Sequence, residues 1–270
     1  MSRSVSVVVP TRNSASTLKA CLDSVLEQSE PVELLVIDNF STDATPQIAS
    51  AMAGTFEQAG PERSRQRNLG AARASGSHLL FVDSDMILPP SLVAECLEQA
   101  AGGFRAAIIP EVSTGRGFWA AAKALERACY VGDDSIEAAR FFERGLFQEL
   151  GGFDEALTGE EDWDLTARIR ERGIPIARTP TPLTHDEGSL RLRETMRTKF
   201  YYGRTMARYM AKHRGAARAQ LTLFRPAFRR HADLLRANPL LTAGMVAMKT
   251  CEAAAGALGT AMGLVADRRR

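Results

Sequence analysis

Four short apolar runs, separated by stretches of helical periodicity, set the limits on what this chain can fold into. They are Val5–Val9 (interrupted only by Ser6), Leu34–Ile37, Leu79–Val82 and Ala106–Ile109, each preceded by a polar residue and followed by Pro or Asp. Apolar runs this short are the pattern of strands covered on both faces. Between them, Leu18, Cys21, Leu22, Val25 and Leu26 recur at i, i+3, i+4, i+7 and i+8, the spacing of one helix face. Residues 62–75 form a further helix candidate, and Leu92, Val93, Cys96 and Leu97 mark another. Asn13, Ser14 and Ser16 are N-cap candidates for the first helix. Strands alternating with helices of this length predict an α/β fold with a doubly wound, mostly parallel sheet.

In such a sheet ligands gather at the carboxyl ends of the strands. The third run ends there in Asp83-Ser84-Asp85. Two acids two residues apart share a side if the backbone is extended. Two hard oxygen donors suit Mg2+ or Mn2+, which in turn would hold a phosphate-bearing substrate. A polar turn after a strand is the plainer account of the same three residues.

Composition narrows the class. The 270 residues suffice for one large domain plus an extension. Cys21, Cys96, Cys129 and Cys251 show no close pair and no metal-ligand spacing, as expected of reduced thiols in a cytoplasmic protein. The apolar run at 5–9 is too short for a signal peptide and merges into the first strand. The net charge of +2 hides an asymmetry: residues 1–189 hold 17 Lys and Arg against 28 Asp and Glu, and residues 190–236 hold 13 against two. A boundary is therefore expected near 190, with an acidic domain over 1–189 and a basic, partly apolar helical arm over 190–270.

Six segments follow one another along the acidic part: Pro10-Thr-Arg-Asn13, Asp38-Asn-Phe-Ser-Thr-Asp43, Arg65-Gln-Arg-Asn-Leu-Gly70, Asp83-Ser-Asp85, Leu150-Gly-Gly-Phe-Asp-Glu155 and Glu160-Glu-Asp-Trp-Asp-Leu165. In this order and spacing, over roughly residues 4–188, the chain resembles a family 2 glycosyltransferase of GT-A fold. The resemblance implies a metal-dependent, inverting transfer of one sugar, of hexosyl type, from a nucleotide-sugar donor. A UDP-sugar is favoured.

The resemblance also implies roles. Asp85 would ligate the metal, with Asp83 near the donor ribose and metal-bound water. His185, 23 residues beyond Asp162, is a further candidate ligand. Glu161 and Asp162 match the acidic pair of the family, with Asp162 in the position of the base that takes the acceptor's proton. Acids at a helix start are favoured by the dipole without any catalytic duty. Pro10, Thr11 and Asp38 fill nucleoside-binding positions. Asn39 replaces the second acid of a common Asp-Asp pair, which leaves the identity of the base open. Arg67 matches a basic position beside the donor, and Gly151-Gly-Phe-Asp154 a loop bordering the acceptor pocket.

The arm is read from its residues. Lys199 to Lys212 interleaves bases with Phe200, Tyr201, Tyr202, Met206, Tyr209 and Met210, a composition suited to nucleic acid or an anionic membrane. The acidic first part disfavours nucleic acid. Residues 239–266 are apolar but broken by Lys249 and Glu252, so a full span is not expected. Gly259 and Gly263 form a small-xxx-small face for close helix packing. Peripheral attachment to the cytoplasmic membrane is therefore expected, aided by Arg268–Arg270, with a lipid-linked or cell-envelope glycan as acceptor. A soluble helical cap is the competing account of the arm. A nucleotidyltransferase would also bind nucleotide with paired carboxylates, but Pro10-Thr-Arg-Asn13 lacks a glycine-rich basic loop. A non-catalytic nucleotide-sugar-binding subunit is the third class.

Overall fold

The computed structural model describes residues 4–215, 222 and 225–267, so Arg268–Arg270 lie outside the described residues. The chain forms two compact units. The first comprises Met1–Pro110, Ala138–Glu155 and Leu165–Asp186, and the second Glu111–Glu137, Ala156–Asp164 and Glu187–Arg270. The second unit thus takes in the basic arm together with two earlier segments.

The first unit is built on a sheet with seven strands among the described residues. Across it run β3 (Thr55–Gln58), β2 (Val32–Asp38), β1 (Val5–Thr11), β4 (His78–Phe81), β8 (Ala139–Glu143), β6 (Ala106–Ile108) and β9 (Ala177–Arg178). β1 pairs in parallel with β2 and β4, whereas β8 runs antiparallel to both β4 and β6. The period of two along each strand sorts side chains onto two faces. Val5, Val7, Val9, Leu34, Val36, Leu80 and Phe141 share one core with helices α1 (Leu18–Leu26) and α4 (Leu92–Ala101). Val8, Leu35, Leu79, Phe81 and Phe142 share the other with α3 (Arg63–Arg73), α6 (Arg144–Glu149) and the later part of α7 (Glu161–Glu171). Covering on both faces explains why these strands read as continuous apolar runs.

The expected helices are present with one difference: the N-cap position of α1 is Thr17, with no side-chain cap hydrogen bond, so Asn13, Ser14 and Ser16 do not occupy it. The motif glycine Gly70 has a packing duty. A Cβ there would collide with the Val8 side chain, so glycine lets α3 lie close on β1. Helix α2 (Thr45–Met52) and β3 complete the edge beyond β2. A further antiparallel pair, β5 (Met86–Ile87) with β10 (Leu183–Asp186), sets Met86 opposite His185.

The second unit contains β7 (Glu111–Thr114), α5 (Phe118–Ala128), the start of α7, α8 (Leu192–Lys212), two short helices α9 (Pro226–Arg230) and α10 (Ala232–Ala237), and α11 (Pro239–Asp267). The glycine face expected on the last helix is real. A Cβ at Gly259 or Gly263 would strike the carbonyl oxygen of Phe200 or Arg204 on α8, and one at Gly203 would strike that of Gly256. One aromatic of α8 is internal: Tyr209 is fully buried and packs with Leu157, Trp163, Met206 and Met210. Glu126 on α5 accepts hydrogen bonds from Lys123, Lys249 and Tyr130 at 2.9, 2.7 and 2.8 Å. Lys123 also reaches Glu252 at 3.2 Å. Burial pushes the Glu126 carboxyl up, but the two ammonium groups overcome it and hold the group below the usual carboxylate range. Lys249 and Glu252, which interrupt the apolar run in sequence, therefore turn inward. Among the described residues no helix is long and apolar enough to cross a membrane.

Candidate active site

The carboxyl ends of β1, β2 and β4 carry one group of predicted site residues, all in the first unit. After β4 the chain leaves the strand and turns, with the Met86 amide donating to the Asp83 carbonyl at 3.0 Å. The backbone from Asp83 to Asp85 is therefore not the extended one assumed for a shared side. The Asp83 carboxylate receives Arg67 Nη2 at 2.6 Å and Arg140 Nη1 at 3.4 Å. Burial alone would raise this group, but Arg67, then Arg140 and Arg63, outweigh it and hold it far below the ordinary range.

Asp85 turns to a different partner. Its Oδ2 lies 3.2 Å from His185 Nε2, an approach produced by the β5–β10 register and by the Asp186 amide donating to the Asp85 carbonyl at 2.8 Å. Its other oxygen, Oδ1, is buried with no hydrogen-bond partner. A buried carboxylate oxygen left so is costly unless something else satisfies it. Among the described residues no three His, Cys, Asp or Glu side chains form a metal-holding group, and the carboxylate of Asp83, the other acid read as a metal donor, is engaged by Arg67 and Arg140. One carboxylate and one imidazole are a donor pair that would suit a divalent cation such as Mn2+.

The nucleoside-binding candidates are placed unevenly. Pro10 and Thr11 end β1 and are buried, and the Thr11 hydroxyl has no hydrogen-bond partner. Asp38 is fully buried. It accepts from the Ser41 amide at 2.9 Å, from Gln58 Nε2 at 2.8 Å and from the Ser41 hydroxyl, so it shapes the turn after β2. Asn39 donates through Nδ2 to the Pro61 carbonyl. Beside them Phe40 stands 63% exposed at φ 48°, left-handed backbone that is uncommon for a bulky residue. Its visible signal in sequence is an aromatic inside an otherwise polar turn.

Arg67 is fully buried, its guanidinium 5.3 Å from the centre of the Phe153 ring. Residues outside the predicted set complete this region. Gln66 Nε2 donates to the Thr11 and Ile37 carbonyls, joining the ends of β1 and β2. Asn68 brackets the Phe153 backbone, donating to its carbonyl and accepting from its amide at 2.9 Å each. Arg168 donates to the Leu150 and Gly152 carbonyls. Gly151 and Gly152 hold φ of 79° and 71°, which glycine adopts without the penalty of a side chain.

The second unit carries the four acids at 160–164, and they are not equivalent. Glu160 accepts from the Thr205 hydroxyl at 2.9 Å. Asp164, fully buried, lies 2.7 Å from Lys212 Nζ and 2.9 Å from His213 Nε2. These two acids tie the start of α7 to α8. Glu161 is buried and Asp162 partly exposed, in a first helical turn that also favours negative charge.

Glu160 yields a test by pH. Burial, reinforced by Glu161 and opposed by the Thr205 hydrogen bond, pushes its carboxyl up from 4.5 to about 7. The folded state keeps a proton that the unfolded chain releases near 4.5, so stability is lost as pH rises from there through about 7. Glu160→Gln removes this loss. Thermal unfolding should coincide with wild type at pH 4 and favour the variant at pH 8, by up to about 3 kcal/mol. A variant equally stable or weaker at pH 8 contradicts the shift.

The model of the family described as "Glycosyl transferase family 2" matches residues 6–152, more than half of the chain. The chain belongs to glycosyl transferase family 2. A curated relative, a PGL/p-HBAD biosynthesis glycosyltransferase of Mycobacterium bovis, is 29% identical over 188 residues, 60% of this chain and 68% of that protein. The chain also matches glycosyltransferase GlyA of Streptococcus pneumoniae, at 34% identity over 88 residues, and spans only 13% of that protein's length. Among solved structures, the mannosyltransferase PcManGT of Pyrobaculum calidifontis, in complex with GDP-Man and Mn2+, superposes with a TM-score of 0.63 at 20% identity. It covers 93% of this chain and 86% of its own. Glucosyl-3-phosphoglycerate synthase of Mycobacterium tuberculosis, bound to Mn2+, UDP and glucosyl-3-phosphoglycerate, gives 0.53 at 21% identity, over 76% and 79% of the two chains. The fold is GT-A, and this family 2 member is a glycosyltransferase.

Proposed function

We propose that this enzyme moves one sugar from a nucleotide donor, a UDP-sugar in preference to others, to a hydroxyl of a lipid-linked or cell-envelope glycan, with inversion at the anomeric carbon and a divalent metal bound. The observation that carries the reading is Asp85 beside His185 at the carboxyl end of β4, one carboxylate oxygen buried without a partner. Solved structures of the same fold contain GDP-Man with Mn2+, and UDP with Mn2+, which supports a metal and a nucleotide without choosing the base. Asp85 and His185 would hold the metal, which when bound would supply charge neutralisation for the departing diphosphate.

The protein's own groups do the rest. Asp162 accepts the proton of the acceptor hydroxyl as that oxygen bonds to the anomeric carbon. The bond from that carbon to the diphosphate oxygen breaks, and the diphosphate leaves with the electron pair. Glu161 sits beside the base and keeps the acidic environment. Thr11 and Phe40 offer a hydroxyl and an apolar face to the nucleoside. Asp83, held by Arg67 and Arg140, lies at the donor side as an ion-paired acid, and Asp38 and Asn39 keep the loop that borders it in shape.

Configuration tests this mechanism. Incubation with Mn2+, a lipid-linked saccharide and either UDP-glucose or GDP-mannose should give a product whose anomeric proton, read by NMR, has the configuration opposite to the donor's. Turnover should be faster with the uridine donor. Retention of configuration overturns direct displacement, and faster turnover of the guanosine donor overturns the choice of base.

A further inference from the structure

The last helix is built with its charges inside and its apolar residues outside. Lys249 and Glu252 are committed to Glu126 and Lys123 on α5. Every exposed position of α11 from Pro239 to Ala266 is apolar except Thr250, whose hydroxyl donates to the Val246 carbonyl one turn back at 2.9 Å. Leu240, Leu258 and Met262 are 72%, 64% and 60% exposed, and Val246, Leu264 and Val265 are exposed with them. A 29-residue helix is about 43 Å long, and single-chain proteins rarely leave so extended an apolar face in water.

The neighbouring helix says what covers it. Through the glycine seam, α8 lies directly on α11, the backbone of Arg204 against Gly263. Arg193, Arg197 and Arg204 are exposed at i, i+4 and i+11 of α8, one face of that helix. An uncharged face beside a basic row is the pattern of a helix lying in a membrane interface, apolar side chains below the headgroups and bases among them. A second copy of this chain is the poorer occupant: a two-fold contact through α11 would bring the α8 arginines of both copies to the same interface.

We propose that the outward face of α11, flanked by Arg193, Arg197 and Arg204 of α8, docks this enzyme onto an anionic lipid bilayer without spanning it. The proposal concerns the second unit alone, and its assay requires no turnover, so it stands or falls separately from the transfer chemistry.

The full chain is sedimented with vesicles of phosphatidylcholine alone and of phosphatidylcholine with phosphatidylglycerol. Wild type should bind the anionic vesicles, less so at high salt, and leave the neutral ones largely unbound. Leu258→Glu with Met262→Glu should abolish binding. Arg193→Gln with Arg197→Gln and Arg204→Gln should weaken it on the order of a hundredfold. These exposed positions lie outside the cores, so unfolding temperatures should match wild type. A separate variant, Met262→Trp, should be quenched by brominated lipid in anionic vesicles. Failure of wild type to bind, unchanged binding by the Glu pair, or an unquenched tryptophan overturns the proposal. So does a concentration-dependent dimer that the Glu pair dissociates, which would give the face to a second copy.

Discussion

Asp162→Asn is expected to lower turnover by roughly 10²–10⁴ while leaving donor binding intact, because the amide keeps the size of the side chain and cannot accept a proton. The four neighbouring acids make this a discriminating substitution. Glu160 is engaged by Thr205, Asp164 by Lys212 and His213, and Glu161 is buried. Asp162 is the partly exposed member of the set. If its duty were only to complement the helix dipole, the Asn variant would lose about 0.3–1 kcal/mol of stability and keep its rate. Steady-state kinetics with a saturating donor, set beside thermal unfolding, separates the two accounts. Near-normal turnover with a small stability loss would move the base to Glu161 or elsewhere, and Glu161→Gln measured in parallel would show which.

Much of this architecture is legible in the chain because the sheet is covered on both faces. Val5–Val9 and Leu34–Ile37 must be apolar at successive positions, and such runs stand out without any partner being known. The carboxyl ends of those strands then point to Thr11, Asp38 and Asp83 as a local group. The sequence does not reveal which neighbour claims each acid. Asp83 and Asp85 differ by two positions, yet a turn closed by the Met86 amide sends one to Arg67 and Arg140 and the other to His185. Arg140 leaves no local signal, since it lies on β8, an antiparallel strand inserted between β4 and β6 from far along the chain. Asn68 and Gln66 read as ordinary polar helix residues and prove to be ties between segments, Gln66 fully buried and Asn68 partly so. The arm shows the same limit in reverse. Lys249 and Glu252 look like interruptions of an apolar stretch, and only the fold shows that they turn toward α5 and leave an uncharged outer face. The aromatics of α8 look like surface groups among bases, and Tyr209 proves to be core.

The central claim is that Asp85 and His185 hold a divalent metal that secures the nucleotide diphosphate. Binding to the folded state raises stability by an amount set by ligand concentration over Kd. At about a hundredfold excess over Kd this is about 2.7 kcal/mol, on the order of 5–10 °C in Tm for a chain of this class. Asp85→Ala removes a carboxylate whose side chain is 40% exposed, so the fold should be retained. Thermal unfolding of wild type and Asp85→Ala is then compared with UDP, with Mn2+, and with both together. Wild type should rise only when UDP and Mn2+ are both present, and Asp85→Ala should lose that increment. A full Mn2+-dependent increment in Asp85→Ala would contradict the assignment.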